Sequence, residues 1–140
     1  MAQRKDDRVN RVVLWLAIAT GVVLSLIGVR FLIDPRPAAF FFGINKQNPG
    51  FALHAAIGLR DVWLGLLLVI FAFLRDWRAV TLWLGLATLV CLSDALIALM
   101  SSGRGWSIAF HAISGVFCAA LAWMAWSAAR NDSPRRPPTG

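Results

Sequence analysis

Residues 52–74 read ALHAAIGLRDVWLGLLLVIFAFL. In this run only His54, Arg60 and Asp61 can carry charge. A helix needs about 20 mainly apolar residues to cross a bilayer core, so the stretch predicts a transmembrane helix. Three similar runs accompany it: Val12–Ile33, Ala79–Met100 and Trp106–Ala129. Irregular chain is not tolerated against lipid, so all four are expected as α-helices. The expected fold is all-α, a four-helix transmembrane bundle whose first loop lies at the membrane interface.

Composition agrees. The 140 residues leave room for one domain. Hydrophobic residues make up 59% and charged residues 15%, against about half and a quarter in soluble domains. A soluble chain of this size has too little interior to hide so much apolar side chain. Soluble enzymes, disulfide scaffolds, disordered regulators and free nucleic-acid binders do not fit these numbers. The net charge of +7 is not a nucleic-acid signature, because the basic residues cluster at the two tails and one tight turn. Cys91 and Cys118 both lie in apolar runs and indicate neither a compartment nor a disulfide. Residues 1–11 form a basic tail and 12–129 the membrane domain. Residues 130–140 form a Pro-rich polar tail, expected to be cytoplasmic and disordered.

The first run does not read as a cleaved signal peptide. Ala17-Ile18-Ala19 mimics a cleavage site, but too few apolar residues precede it and the run continues beyond it. Orientation follows from Lys and Arg. Arg4, Lys5, Arg8, Arg11, Arg75, Arg78, Arg130, Arg135 and Arg136 fall on one side, and Arg36, Lys46 and Arg104 on the other. Nine against three predicts both termini in the cytoplasm of a multi-pass protein, in a bacterial inner membrane. Trp15, Trp77, Trp83, Trp123 and Trp126 then approach the inner interface and Trp106 the outer one; Trp63 sits deeper.

The connection Asp34–Gly50 is long for a bundle. Asp34-Pro35-Arg36-Pro37 stops the first helix, and Asn48-Pro49-Gly50 signals a turn. Between them, Phe40-Phe41-Phe42-Gly43 suits the outer interface. It reads first as an interfacial anchor and second as a lid over a site. Gly21, Ser25 and Gly28 line one face, Gly58 and Gly65 another, and Gly115 and Ala119 a third. Such spacings let helices approach closely, which speaks of packing rather than function.

Arg30, His54, Arg60, Asp61, Asp94 and His111 are the informative residues. Ionisable groups at membrane depth are costly and face a bundle interior, a partner or a cavity. At 1.5 Å per residue, Asp61 lies roughly 14 Å from the outer helix end, Asp94 roughly 9 Å and His111 roughly 8 Å. His54 and Arg30 lie within about 5 Å of it. All six therefore fall in the outer half, although they come from four helices. That agreement predicts one polar pocket open towards the outer face. His54, Gly58, Asp61 and Gly65 share a helix stripe; Thr88, Cys91 and Asp94 share another, and His111, Ser114, Gly115 and Cys118 a third. Arg60 points about 100° away from Asp61 on the helical wheel, towards another helix or the headgroups.

Several of these residues together carry a resemblance. Arg30-Phe31 before Asp34-Pro35, Phe42-Gly43, Gly58-Leu59-Arg60-Asp61, a lone Asp94 and a lone His111 resemble the small four-helix membrane proteins of the "domain of unknown function 4267" family. The resemblance covers about residues 10–128, and Gly58-x-Arg60-Asp61 is its most specific piece. It implies a four-helix integral membrane protein and no particular reaction.

Function remains open between classes. A structural or accessory membrane protein would use the charges as a register network, Arg60 with Asp94 and Asp61 with His111 or Arg30. A membrane enzyme of isomerase or cyclase type, or a binder of an apolar lipid-like ligand, would use Asp61, Asp94 and His111 as acid and base. A proton relay would need oligomerisation, because the inner half lacks a polar path, and no inverted repeat is visible. A metal site from His54, Asp61, Asp94 and His111 lacks the close ligand spacing on one helix that would support it. No metal and no cofactor is expected. The expected partners are the lipid bilayer, an apolar small molecule and a second copy of this chain, with no nucleic acid. Reporter fusions at residue 140 and at Arg104 test the orientation: cytoplasmic signal is expected at the first and external signal at the second. A reversed pair would overturn it.

Overall fold

The computed structural model describes residues 2–43, 51–101 and 104–131. They form five helices: α1 (Ala2–Ile33), α2 (Pro35–Phe42), α3 (Phe51–Phe73), α4 (Trp77–Ser101) and α5 (Gly105–Asn131). No strand occurs among the described residues. α1, α3, α4 and α5 each contain a span long and apolar enough to cross a membrane. The protein is therefore a multi-pass helical membrane protein. α1 is helical from Ala2, so the helix begins within the basic N-terminal segment, ahead of the apolar span Val9–Ile33; Arg, Lys and Gln are good helix formers. The Asn48-Pro49-Gly50 turn and the tail beyond Asn131 lie outside the described residues.

The boundaries follow local chemistry. Pro35 opens α2 at a position where its missing N–H is not needed. Gly43 closes α2 with φ 101°, and its N–H bonds Ala39 O at 3.1 Å. Asp76 caps α4 by accepting the N–H of Ala79 at 3.1 Å. The first connection is thus not irregular throughout, since most of its described part is a helix.

The bundle consists of two close antiparallel pairs, α1 with α3 and α4 with α5. The first pair meets backbone to backbone. Gly21 faces Gly65 and Gly28 faces Gly58. A Cβ on Gly28 would lie 2.5 Å from the Gly58 carbonyl oxygen, and one on Gly21 2.6 Å from that of Gly65. The glycines are seven residues apart on both helices, so the antiparallel contacts repeat after about two turns. Between them the Ser25 hydroxyl donates to Gly21 O at 2.9 Å and lies 3.5 Å from Val62 O. In the second pair, Cys91 packs against Gly115.

The two pairs join at the end that carries the termini. Val13 and Ala17 of α1, Leu68 and Ala72 of α3, Trp77, Val80 and Leu84 of α4, and Leu121, Ala125 and Ala128 of α5 form one buried core there. Trp77 belongs to this core, and Trp83 packs against it. Neither therefore stands in the lipid-facing belt expected of it, because the space between the pairs takes both rings. Trp15, Trp123 and Trp126 do face outward, as does Trp63. A smaller cluster of Phe31, Ala38 and Ala39 holds α2 against α1.

The seam is testable. Gly28→Leu should cost at least about 1–3 kcal/mol, the usual range for overpacking, and lower the unfolding midpoint in detergent. Gly85→Leu should leave the midpoint nearly unchanged, since no described atom lies within 4 Å of an added Cβ there. Equal effects of the two changes would contradict the seam.

Candidate functional site

Towards the α2 end, the two helix pairs flank a partly open cavity of about 530 Å³. Small side chains make the room: Ala19 and Thr20 on α1, Ala87 on α4 and Ser114 on α5 all line it. Along α1 the lining runs from Leu16 to Phe31, about 22 Å at helical rise. Along α4 it runs from Trp83 to Asp94, about 16 Å. The cavity is therefore a slot along the helix axes. The core closes it towards the terminus end, and Ala38, Phe41 and Phe42 of α2 border the other.

Five of the six ionisable residues line this slot: Arg30, Arg60, Asp61, Asp94 and His111. His54 does not; its ring is buried near Phe31, with centroids 6.4 Å apart, and its Nε2 has no hydrogen-bond partner among the described residues. The rest of the lining is mainly Leu, Val, Ile, Ala and Phe. The slot thus has charged groups towards its α2 end and apolar walls below them.

Pairing within the site differs from the interhelical network expected. Arg60 Nε donates to Asp61 Oδ1 at 2.9 Å, within α3 itself. Arg60 is not bonded to Asp94, and Asp61 is bonded to neither His111 nor Arg30. The reason is geometric. Asp61 lies on the Gly58–Gly65 face that packs against α1 and is only 4% exposed. The long Arg60 side chain folds back across the 100° between adjacent positions to reach it, leaving its guanidinium half-exposed. Asp94 makes no hydrogen bond or ion pair with a described residue; the charges of Arg60 and His111 act on it from beyond hydrogen-bonding reach.

His111 and Ser107 hold α2 in place. The Ser107 hydroxyl donates to Phe42 O at 2.6 Å, and His111 Nε2 bonds the same oxygen at 3.1 Å. A carbonyl oxygen only accepts, so Nε2 carries the proton and, in the neutral ring, Nδ1 is the acceptor. Arg104 Nη1 donates to Phe40 O at 3.0 Å, with its guanidinium carbon 3.9 Å from the Phe40 ring centroid. These donors meet the carbonyl end of a helix, where positive charge and N–H groups are favourable. Phe42 packs edge-on against His111, centroids 4.6 Å apart, and Phe41 packs at a tilt against Trp106 at 4.9 Å. Residues 40–42 therefore serve as more than an anchor, since Phe41 and Phe42 border the slot and all three are in contact with α5 or the residue before it.

Ser107 and Arg104 were not legible as site residues. Ser107 stands one turn before His111 on the same helix face, which is the one signal that could have marked it. Cys91 on α4 and Cys118 on α5 are free cysteines that both line the slot. No group of three or more potential metal ligands occurs among the described residues.

The fold and the slot define a small multi-pass helical membrane protein with an amphipathic internal cavity. The model of the family described as "Domain of unknown function (DUF4267)" matches residues 21–125, and the chain belongs to that family. No curated protein and no solved structure matches the chain.

The ion pair within α3 has a measurable consequence. Arg60→Met should leave Asp61 buried without a partner and cost about 3–5 kcal/mol on the soluble-protein scale. Adding Asp61→Asn should recover much of that loss, because no orphan charge remains. Thermal unfolding in detergent of the single and double variants checks this; additive losses would refute the pairing.

Proposed function

We propose that the protein binds one lipid-like amphiphile in the slot between its helix pairs. The polar end of the ligand lies against Arg30, Arg60, Asp61, Asp94 and His111, and its apolar part runs down between α1, α4 and α5. The observation that carries this reading is the distribution of the lining, with ionisable groups at one end of a slot of about 530 Å³ and largely apolar walls along the rest. Ligand sites are typically concave and mostly apolar, with a few convergent polar groups and volumes of about 300–1,000 Å³. A purely structural role for the charges has less support. The one ion pair in the site lies within a single helix and ties no two helices together. Register is served instead by the glycine seam and by the bonds from α5 to α2.

In the orientation expected from the basic residues, with both termini in the cytoplasm of an inner membrane, the charged end of the slot faces the outer leaflet. Acid–base chemistry on the bound molecule is the second reading. It is favoured by Asp94, which lines the slot without a hydrogen-bond partner among the described residues, and by the acceptor Nδ1 of His111 in its neutral form.

Native mass spectrometry of detergent-extracted protein tests the binding. A bound amphiphile is expected on the wild type and lost in Ala87→Trp, which fills the slot from α4. No adduct, or the same adduct on both proteins, would overturn the reading. The recovered molecule separates the two versions. An identical molecule from wild type and Asp94→Asn supports binding alone, and two different isomers support chemistry.

A further inference from the structure

The pairing and depth of the slot's polar groups specify the head of the ligand. Asp61 is already satisfied by Arg60, and His111 Nε2 by Phe42 O. Three groups at the slot remain without a hydrogen-bond partner among the described residues: the Asp94 carboxyl, the acceptor nitrogen of His111, and the Arg30 guanidinium. They stand at two levels. Arg30 is three residues from the end of α1, roughly 5 Å. Asp94 is seven residues from the end of α4, and His111 six from the start of α5, both roughly 10 Å deep. Arg60 shares the deeper level, but its guanidinium is paired with Asp61 and stands between two carboxylates, Asp61 and Asp94. The unpaired acceptors are therefore deeper, nearer the apolar part of the slot, and the unpaired cation, Arg30, is shallower, nearer the membrane surface.

A complementary ligand must present the same order reversed in polarity. Next to its chain it needs a hydrogen-bond donor, for Asp94 and His111 Nδ1. Beyond that it needs an anion, for Arg30. The geometry points to a single-chain amphiphile with a hydroxyl adjacent to the chain and a phosphate outside it, the chemistry of a lysophosphatidic acid head. This inference rests on the proposed binding of an amphiphile and adds the identity of its head.

Several other head chemistries fit less well. A fatty acid has an anion next to the chain, which would meet the carboxylates of Asp94 and Asp61 with the single charge of Arg60, already paired with Asp61, to offset them. A phosphoethanolamine head puts its cation outermost, at the level of Arg30. A plain alcohol leaves Arg30 without a counter-charge. Arginine suits phosphate in particular, because its planar fork offers paired donors to two oxygens. One chain rather than two fits a slot that is about 16–22 Å long but only about 530 Å³ in volume.

The test uses the full chain in detergent with four probes sharing one oleoyl chain: lysophosphatidic acid, its deoxy analogue without the hydroxyl, monoacylglycerol without the phosphate, and the simple alcohol. Binding is read by native mass spectrometry competition. Wild type should prefer lysophosphatidic acid over the deoxy analogue and over monoacylglycerol by about tenfold or more each, the size of one charge-assisted hydrogen bond. Asp94→Leu and Asp94→Asn should both reduce the preference for the hydroxyl while keeping that for the phosphate. Arg30→Gln should do the reverse. Equal binding of all four probes to the wild type would overturn the head assignment and leave the binding proposal standing. Binding of none of them, with no displacement of a resident adduct, would overturn both. Preferences unchanged in folded Asp94 and Arg30 variants would show that other residues read the head, which also contradicts the inference.

Discussion

The backbone contact between α1 and α3 is the constraint on which the rest of the structure depends. Glycine at 21, 28, 58 and 65 removes the side chains that would hold the two helices apart, so their carbonyls approach within reach of a single Cβ. In a bilayer no hydrophobic driving force presses helices together, because lipid tails are as apolar as leucine. Close van der Waals contact is what remains, and the seven-residue repeat delivers it at two points. The same stripe carries Asp61 between Gly58 and Gly65. The seam that packs α3 therefore buries the Asp61 carboxylate, and Arg60 must turn back along its own helix to neutralise it.

A second consequence is the slot. α1–α3 is one close pair and α4–α5 another, and they share a continuous core only at the terminus end. At the other end α2 reaches across. It packs on α1 through Phe31, Ala38 and Ala39, and it is held to α5 through Arg104, Ser107 and His111. Two joined ends and small residues between them leave the middle open. Ala19, Thr20, Ala87 and Ser114 keep the facing walls apart, and the charged groups gather beside α2. A cavity in this place thus follows from the same packing that makes the bundle stable.

The fold was legible because its signals are long and redundant. Four apolar runs of about 20 residues, a turn at Arg75-Asp76 and two prolines after Asp34 leave little choice of architecture. The depth of the ionisable residues was legible for a similar reason. Rise per residue is constant, so sequence distance from a helix end becomes distance along the membrane normal. Side-chain partnership was not legible, since it depends on how far a long side chain bends. Arg60 shows this, for its Cβ direction pointed away from Asp61 while its guanidinium returned to it. His54 shows the converse. It shares a stripe with Asp61 and yet stands outside the slot, because two turns of helix carry it to the side of Phe31. The structure of residues 35–42 was hidden by its two prolines, which read as helix breakers although the first of them opens a new helix.

The central claim is that the space between the two helix pairs is a binding slot with its head site beside α2. An experimental structure in lipid nanodiscs without added ligand measures this most directly. The account predicts elongated density between α1–α3 and α4–α5, with its broader end at Asp94 and Arg30 and its narrower end near Trp83 and Cys118. Helix pairs closed onto each other, with Leu24 and Val90 in contact and no density between them, would contradict it.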